Sequence, residues 1–184
     1  MNEREWQGIL SRIEDRETTR KCLLSPLEIE RSIQELESTF GFPLPAEYRS
    51  WLERFDDVSF DGAYFCGLSG DGRLSRHQSE WASQGWVNVA NDGCGDYYAL
   101  VLNQQFGLSA PVVFIDVYKE LADAYIVASE FPKFVQGLLM LERDEVDREG
   151  AEPHWPFDRI ETLKMDPEIM SARNIRFPWA EFEE

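Results

Sequence analysis

Residues 91–96, read Asn-Asp-Gly-Cys-Gly-Asp, separate two short apolar runs, GWVNVA and DYYALVL, and they constrain the fold more tightly than any other stretch. Asn91, Gly93 and Gly95 tolerate the positive φ that a tight hairpin turn demands, and the flanking runs are rich in β-branched and aromatic residues. Two antiparallel strands near 85–90 and 96–102 are predicted. Similar runs at 63–68 (AYFCGL), 111–116 (PVVFID) and 124–128 (AYIVA) are bounded by turn clusters, so the hairpin extends into an antiparallel sheet of about five to six strands.

On either side of this region the apolar period changes from two to three or four. Trp6, Ile9, Leu10 and Ile13 fall on one face of an N-terminal helix within about 3–20. A second helix is capped by Ser25, carries Pro26 at its first position and Glu28 three residues after the cap, and buries Ile29, Ile33, Leu36 and Phe40 before ending at Gly41. Pro45 starts a third, with Tyr48, Trp51, Leu52 and Phe55 inward. After the sheet, Ser129 offers an N-cap to a helix with Phe131, Phe134, Val135, Leu138 and Leu139 on one stripe. The segment 150–184 holds Pro153, Pro156, Pro167 and Pro178 around one short helix, capped by Asp166 with Pro167 at its first position. The expectation is an α+β protein: one domain over 1–184, a central antiparallel sheet, and helices packed on one side of it.

The chain carries 18 Lys and Arg against 35 Asp and Glu, a formal charge of −17. That field opposes phosphate backbones and anionic lipid, and it speeds encounter with a basic protein partner. Cys22, Cys66 and Cys94 are odd in number and lack CxxC spacing, so buried reduced thiols are expected rather than a disulfide or a zinc site. No apolar run has signal-peptide or membrane-spanning length, which points to the cytoplasm.

No catalytic apparatus is legible. His77 and His154 sit in no metal-ligand spacing and read as surface or structural histidines. GLSG at 67–70 lacks the GxSxG spacing of a nucleophile elbow, and GDG (70–72) and GCG (93–95) lack the further residues of a phosphate loop. Asp92 and Asp96 flank a glycine-rich turn but find glycine at the alternate positions where a calcium loop needs ligands. No metal or organic cofactor is expected. The better candidates are surface acids of the sheet half, where loops on a rigid scaffold concentrate binding residues: Asp56, Asp57, Asp61, Asp71, Asp92, Asp96 and Asp116, with Glu120 and Asp123 beside them. Trp86 reads as core, and Trp81 is open between core and an aromatic interface anchor.

The order LEIERSIQELESTFGFPLPAEYRSWLERF, YFCGL, WVNVANDGCGDYYALVL, PVVFIDV, YIVASEFPKFVQGLL resembles the SUKH superfamily over roughly 27–140. The matching marks are Leu44, Pro45, Glu47, Tyr48 and Leu52, then Val89, Ala90, Gly93, Gly95 and Asp96, then Ser129, Phe131 and Phe134. Where members commonly carry Asn-Gly after the tyrosine-containing helix, this chain has Phe55, Asp56 and Asp57. The resemblance implies a non-enzymatic binding protein: an immunity protein that neutralises a cognate toxin, or else a regulatory protein-interaction scaffold. A third reading from the residues themselves is a metal-dependent hydrolase using Asp92, Asp96 and Asp116.

Overall fold

The computed structural model describes residues 1–60, 63–69, 77, 81–119, 123–144 and 155–181. The described elements are α1 (Glu3–Glu14), β1 (Arg20–Lys21), α2 (Pro26–Phe40), α3 (Ala46–Arg54), β2 (Phe55–Phe60), β3 (Ala63–Phe65), β4 (Trp86–Asn91), β5 (Tyr97–Val101), β6 (Val112–Ile115), β7 (Tyr125–Ala128), α4 (Phe131–Asp144) and α5 (Arg159–Met165). The strands form one antiparallel sheet in chain order, β1 to β7. Among the described residues no helix is long and apolar enough to cross a membrane.

The α+β expectation holds, with seven strands in place of five to six. The two added strands carry no alternating apolar signal. Both residues of β1 are exposed, and β2 opens with Phe55, which extends the helical period of α3 one residue too far. Phe55 is buried as the sequence requires, but in extended backbone.

Side-chain alternation splits the sheet into two apolar faces. Val87, Leu100 and Val112 point to one face and meet the helices: Trp6, Leu10 and Ile13 of α1, Ile33 and Leu36 of α2, Tyr48, Trp51 and Leu52 of α3, and Phe131, Phe134 and Leu138 of α4. Trp51 is the hub, with ring centroids 4.6 Å from Phe65, 4.9 Å from Phe55, 5.5 Å from Phe131 and 6.4 Å from Trp6. Trp86, Ala99, Val101, Val113 and Ile115 point to the other face, which Trp81, Phe106 and Ala124 cover. Ile169 and Trp179, from the last part of the chain, close over Ile126. The register slips between Asn88 and Ala90, so Val89 and Ala90 both serve the helix-covered core.

Capping explains where the helices begin. Asn2 and Ser25 each close a capping box, with Glu5 and Glu28, and Gly41 ends α2 at φ 74°. Two other expected caps are spent differently. Ser129 donates its backbone N–H and its hydroxyl to the two carboxylate oxygens of Asp166, at 2.7 and 2.6 Å, so these side chains bind each other across 37 residues of sequence. Asp166 still precedes the 3-10 turn Pro167–Ser171, but without a side-chain cap bond.

Candidate functional site

The register brings three connections to one end of the sheet. Phe60 pairs with Ala63, Tyr64 with Asn91, Asn91 with Tyr97, Tyr97 with Ile115, and Phe114 with Tyr125. The β4–β5 hairpin turn therefore lies between β3 and the segment that follows β6. Gly93 and Gly95 adopt φ 80° and 116°, as the turn requires, while Asn91 stays in the strand. A Cβ on Gly93 would also fall 2.8 Å from the Tyr64 ring, so that half-exposed ring would have to turn aside.

The acids at this end build the loops they occupy. Asp92 Oδ1 accepts N–H groups from Cys94, Gly95 and Asp96 at 2.8, 3.1 and 3.0 Å. Asp96 Oδ1 accepts from the Val117 N–H at 3.0 Å, tying the hairpin to the segment after β6. Asp116 Oδ1 accepts from the Tyr118 N–H at 2.9 Å, and its Oδ2 lies 3.3 Å from Lys119 Nζ. Each carboxylate thus spends one oxygen on backbone and keeps its charge near the surface. That charge is felt inside: Tyr98 is pushed up to about 12, first by burial and then by Asp92 and Asp96. Asp123 pairs with Arg176 at 3.0 Å.

Exposed apolar groups stand among these acids. Tyr118 is 88% exposed, Tyr64 52% and Val117 40%. Sequence reasoning did not single out their exposure, because an aromatic in a turn such as DVYK carries no periodicity to show whether it faces in or out. Trp81, left open by the sequence between core and interface anchor, falls on the core side. Trp81 is only 7% exposed and lies edge-on to Tyr97 at 6.3 Å, so it roofs the second core rather than standing out as an anchor.

The expected acidic rim is likewise not one surface. Asp92, Asp96 and Asp116 share the hairpin end, but Asp56 and Asp57 lie at the opposite end of β2. There Asp56 Oδ1 accepts the Ser69 N–H at 2.7 Å, and Asp57 faces Arg20 across the strand pair at 3.7 Å. Asp61, Asp71, Glu120 and His154 fall outside the described residues. Ser69 belongs to a loop that Gly67 lets approach closely, since a Cβ at Gly67 would fall 1.7 Å from the Asp56 carbonyl oxygen.

Two buried polar groups are structural. His77 is fully buried, with Nδ1 3.0 Å from the Asn88 carbonyl and 3.3 Å from the Tyr48 hydroxyl, and Nε2 3.2 Å from the Gly67 carbonyl. It fastens the loop after β3 to β4. Burial raises the Asp166 carboxyl above its ordinary range, and its hydrogen bonds from Ser129 oppose that rise. For metal chemistry the arrangement offers little, because Asp92, Asp96 and Asp116 turn an oxygen to backbone. Among the described residues no group of three or more His, Cys, Asp or Glu side chains is placed to hold a metal ion.

With this architecture in view, the chain can be placed. The sequence profile of the SMI1 / KNR4 family (SUKH-1) matches residues 30–137, more than half of the chain, and the protein belongs to this family. No curated protein and no solved structure matches it in the other two comparisons. The matched span runs from α2 into α4 and contains the whole hairpin end; α1 and the segment covering β7 lie outside it.

Proposed function

We propose that the protein acts by binding rather than catalysis, and that the hairpin end of its sheet covers the working surface of a basic toxin. The observation that carries this reading is the grouping of exposed Tyr64, Val117 and Tyr118 with Asp92, Asp96 and Asp116 on loops fixed by side-chain to backbone hydrogen bonds. Rigid aromatic anchors among charges are the composition of an interface, and preordered loops lose little entropy on binding. A charge of −17 favours a basic partner such as a nuclease, whose substrate groove the carboxylates would occupy in place of phosphates. The family resemblance set out above adds the immunity role.

The test is protection. The chain is co-expressed with the product of the gene beside its own, and growth is compared with a variant carrying Asp92→Asn, Asp96→Asn and Tyr118→Ala. Native protein is expected to restore growth and to bind the purified product, and the folded triple variant to do neither. Equal protection by both proteins would move the interface away from this end.

A further inference from the structure

A second surface lies between α1 and α4, where basic lining residues outnumber acidic ones. Glu5, Gly8, Ile9 and Arg12 from α1 face Lys133 and Gln136 from α4 across a cleft of about 390 Å³, with Met1 at one end. That volume is within the range of small-ligand sites, about 300–1,000 Å³.

Gly8 is the first sign that the cleft is kept open. It occupies the middle of α1, where glycine is less stable than alanine, yet a Cβ built there would meet nothing within 4 Å. Packing does not demand glycine here, in contrast to Gly137 of α4, whose Cβ would lie 2.3 Å from the Trp155 ring. Its effect at position 8 is to leave one wall of the cleft bare.

The lining also has unspent polar capacity. Arg12 has no ion-pair partner among the described residues. Lys133 Nζ donates once, to the Met165 carbonyl at 2.7 Å, and has two further hydrogens to give. The Met1 amine is neutralised by Glu130 at 2.6 Å, and Glu5 is held by the Asn2 N–H at 3.1 Å. The remaining lining charge is Arg12 and Lys133 against Glu5, and part of the Lys133 charge is drawn toward the Asp166 carboxyl beside it, which suits a monoanion better than a phosphate dianion. Gln136 adds a carboxamide whose Oε1 is buried with no hydrogen-bond partner among the described residues, leaving an acceptor that an incoming N–H could claim.

We infer that this cleft binds the carboxyl-terminal end of a peptide chain. The terminal carboxylate would take Arg12 and Lys133, the last side chain would lie on Ile9, and the last peptide N–H would donate to Gln136. The inference is independent of the hairpin end.

It can be tested on the full chain by fluorescence anisotropy with fluorescein-labelled Gly-Gly-Ala-Leu, prepared as the free acid and as the carboxyl-terminal amide. The acid is expected to bind at least about tenfold more tightly, as the loss of one charge-assisted hydrogen bond implies. Arg12→Gln should remove that preference, and Gly8→Leu should abolish binding while an unchanged melting temperature certifies the fold. Equal binding of acid and amide, no binding of either, or undiminished binding by Gly8→Leu would each overturn the proposal. So would displacement by equimolar inorganic phosphate, which would mark an anion site without preference for a carboxylate.

Discussion

The helix-covered face of the sheet and its hairpin end are organised by different forces. The first is fixed by apolar burial, with Trp51 and Phe131 in ring contact with each other and with both Trp6 and Phe65, and no exposed member. The second is fixed by carboxylates bound to backbone N–H groups and by glycines at positive φ, while its apolar side chains stay in solvent. Substitution therefore means different things in the two places. On the helix face it removes packing that the fold depends on. At the hairpin end the outward atoms can change while the inward oxygen keeps the turn, so a binding surface can be re-specified with the scaffold intact.

Substitutions at four positions sharpen that contrast, ordered by expected loss of stability. Trp51→Ala empties the hub of the aromatic core and is expected to cost about 3–5 kcal/mol in urea denaturation. A loss below about 1 kcal/mol would mean that the core does not depend on its hub.

Asp166→Ala leaves the Ser129 N–H and hydroxyl without their buried acceptor, at an expected cost of about 2–4 kcal/mol. Asp166→Asn gives the pH signature. Burial raises the folded carboxyl above its unfolded value near 3.8, so its stabilising contribution is complete below that value and is lost as pH rises through the folded one. Melting temperatures of wild type relative to Asp166→Asn should accordingly fall between acid and neutral pH. Parallel curves would show that the hydrogen bonds from Ser129 and the charge of Lys133 cancel the effect of burial.

Asp92→Asn retains an oxygen for the three turn N–H groups and is expected to cost under about 1 kcal/mol while slowing association with a basic partner at low salt. Tyr118→Ala touches almost nothing in the fold, so stability should stay within about 0.5 kcal/mol. Its dissociation from the partner should nevertheless quicken by tenfold or more if Tyr118 is an anchor. A drop in stability comparable to that of Trp51→Ala would erase the distinction between the two regions.

The same contrast explains what the sequence made legible. The capping box at Ser25, the helical stripes and the 91–96 turn are local codes, written within a few residues, and a reader can recover them. The Ser129–Asp166 pair is not local: each residue has the composition of a cap, and only the tertiary fold decides that they bind each other. Strand β1 was invisible because both its residues are exposed, and β2 because Asp56 and Asp57 interrupt its apolar pattern. Of the residues proposed for the site, the sequence names the acids at 92, 96 and 116, and the fold puts these three at one end of the sheet. Their separation from Asp56 and Asp57 depends on strand direction, and the orientations of Trp81 and Tyr118 on which face each loop folds toward; neither is encoded in spacing.

One contact of the last segment bears on colloidal behaviour. Ile126 donates its N–H to the Arg176 carbonyl at 3.0 Å, and Arg176 runs parallel to Tyr125 as an isolated bridge, so the outermost strand of the sheet is partly occupied. At the other margin, β1 is only two residues long and both are cationic. Short charged strands and occupied edges are how sheets avoid templating one another. A chain shortened before Arg176 would present β7 as an open template, and its earliest failure would be growth into higher assemblies rather than loss of its core.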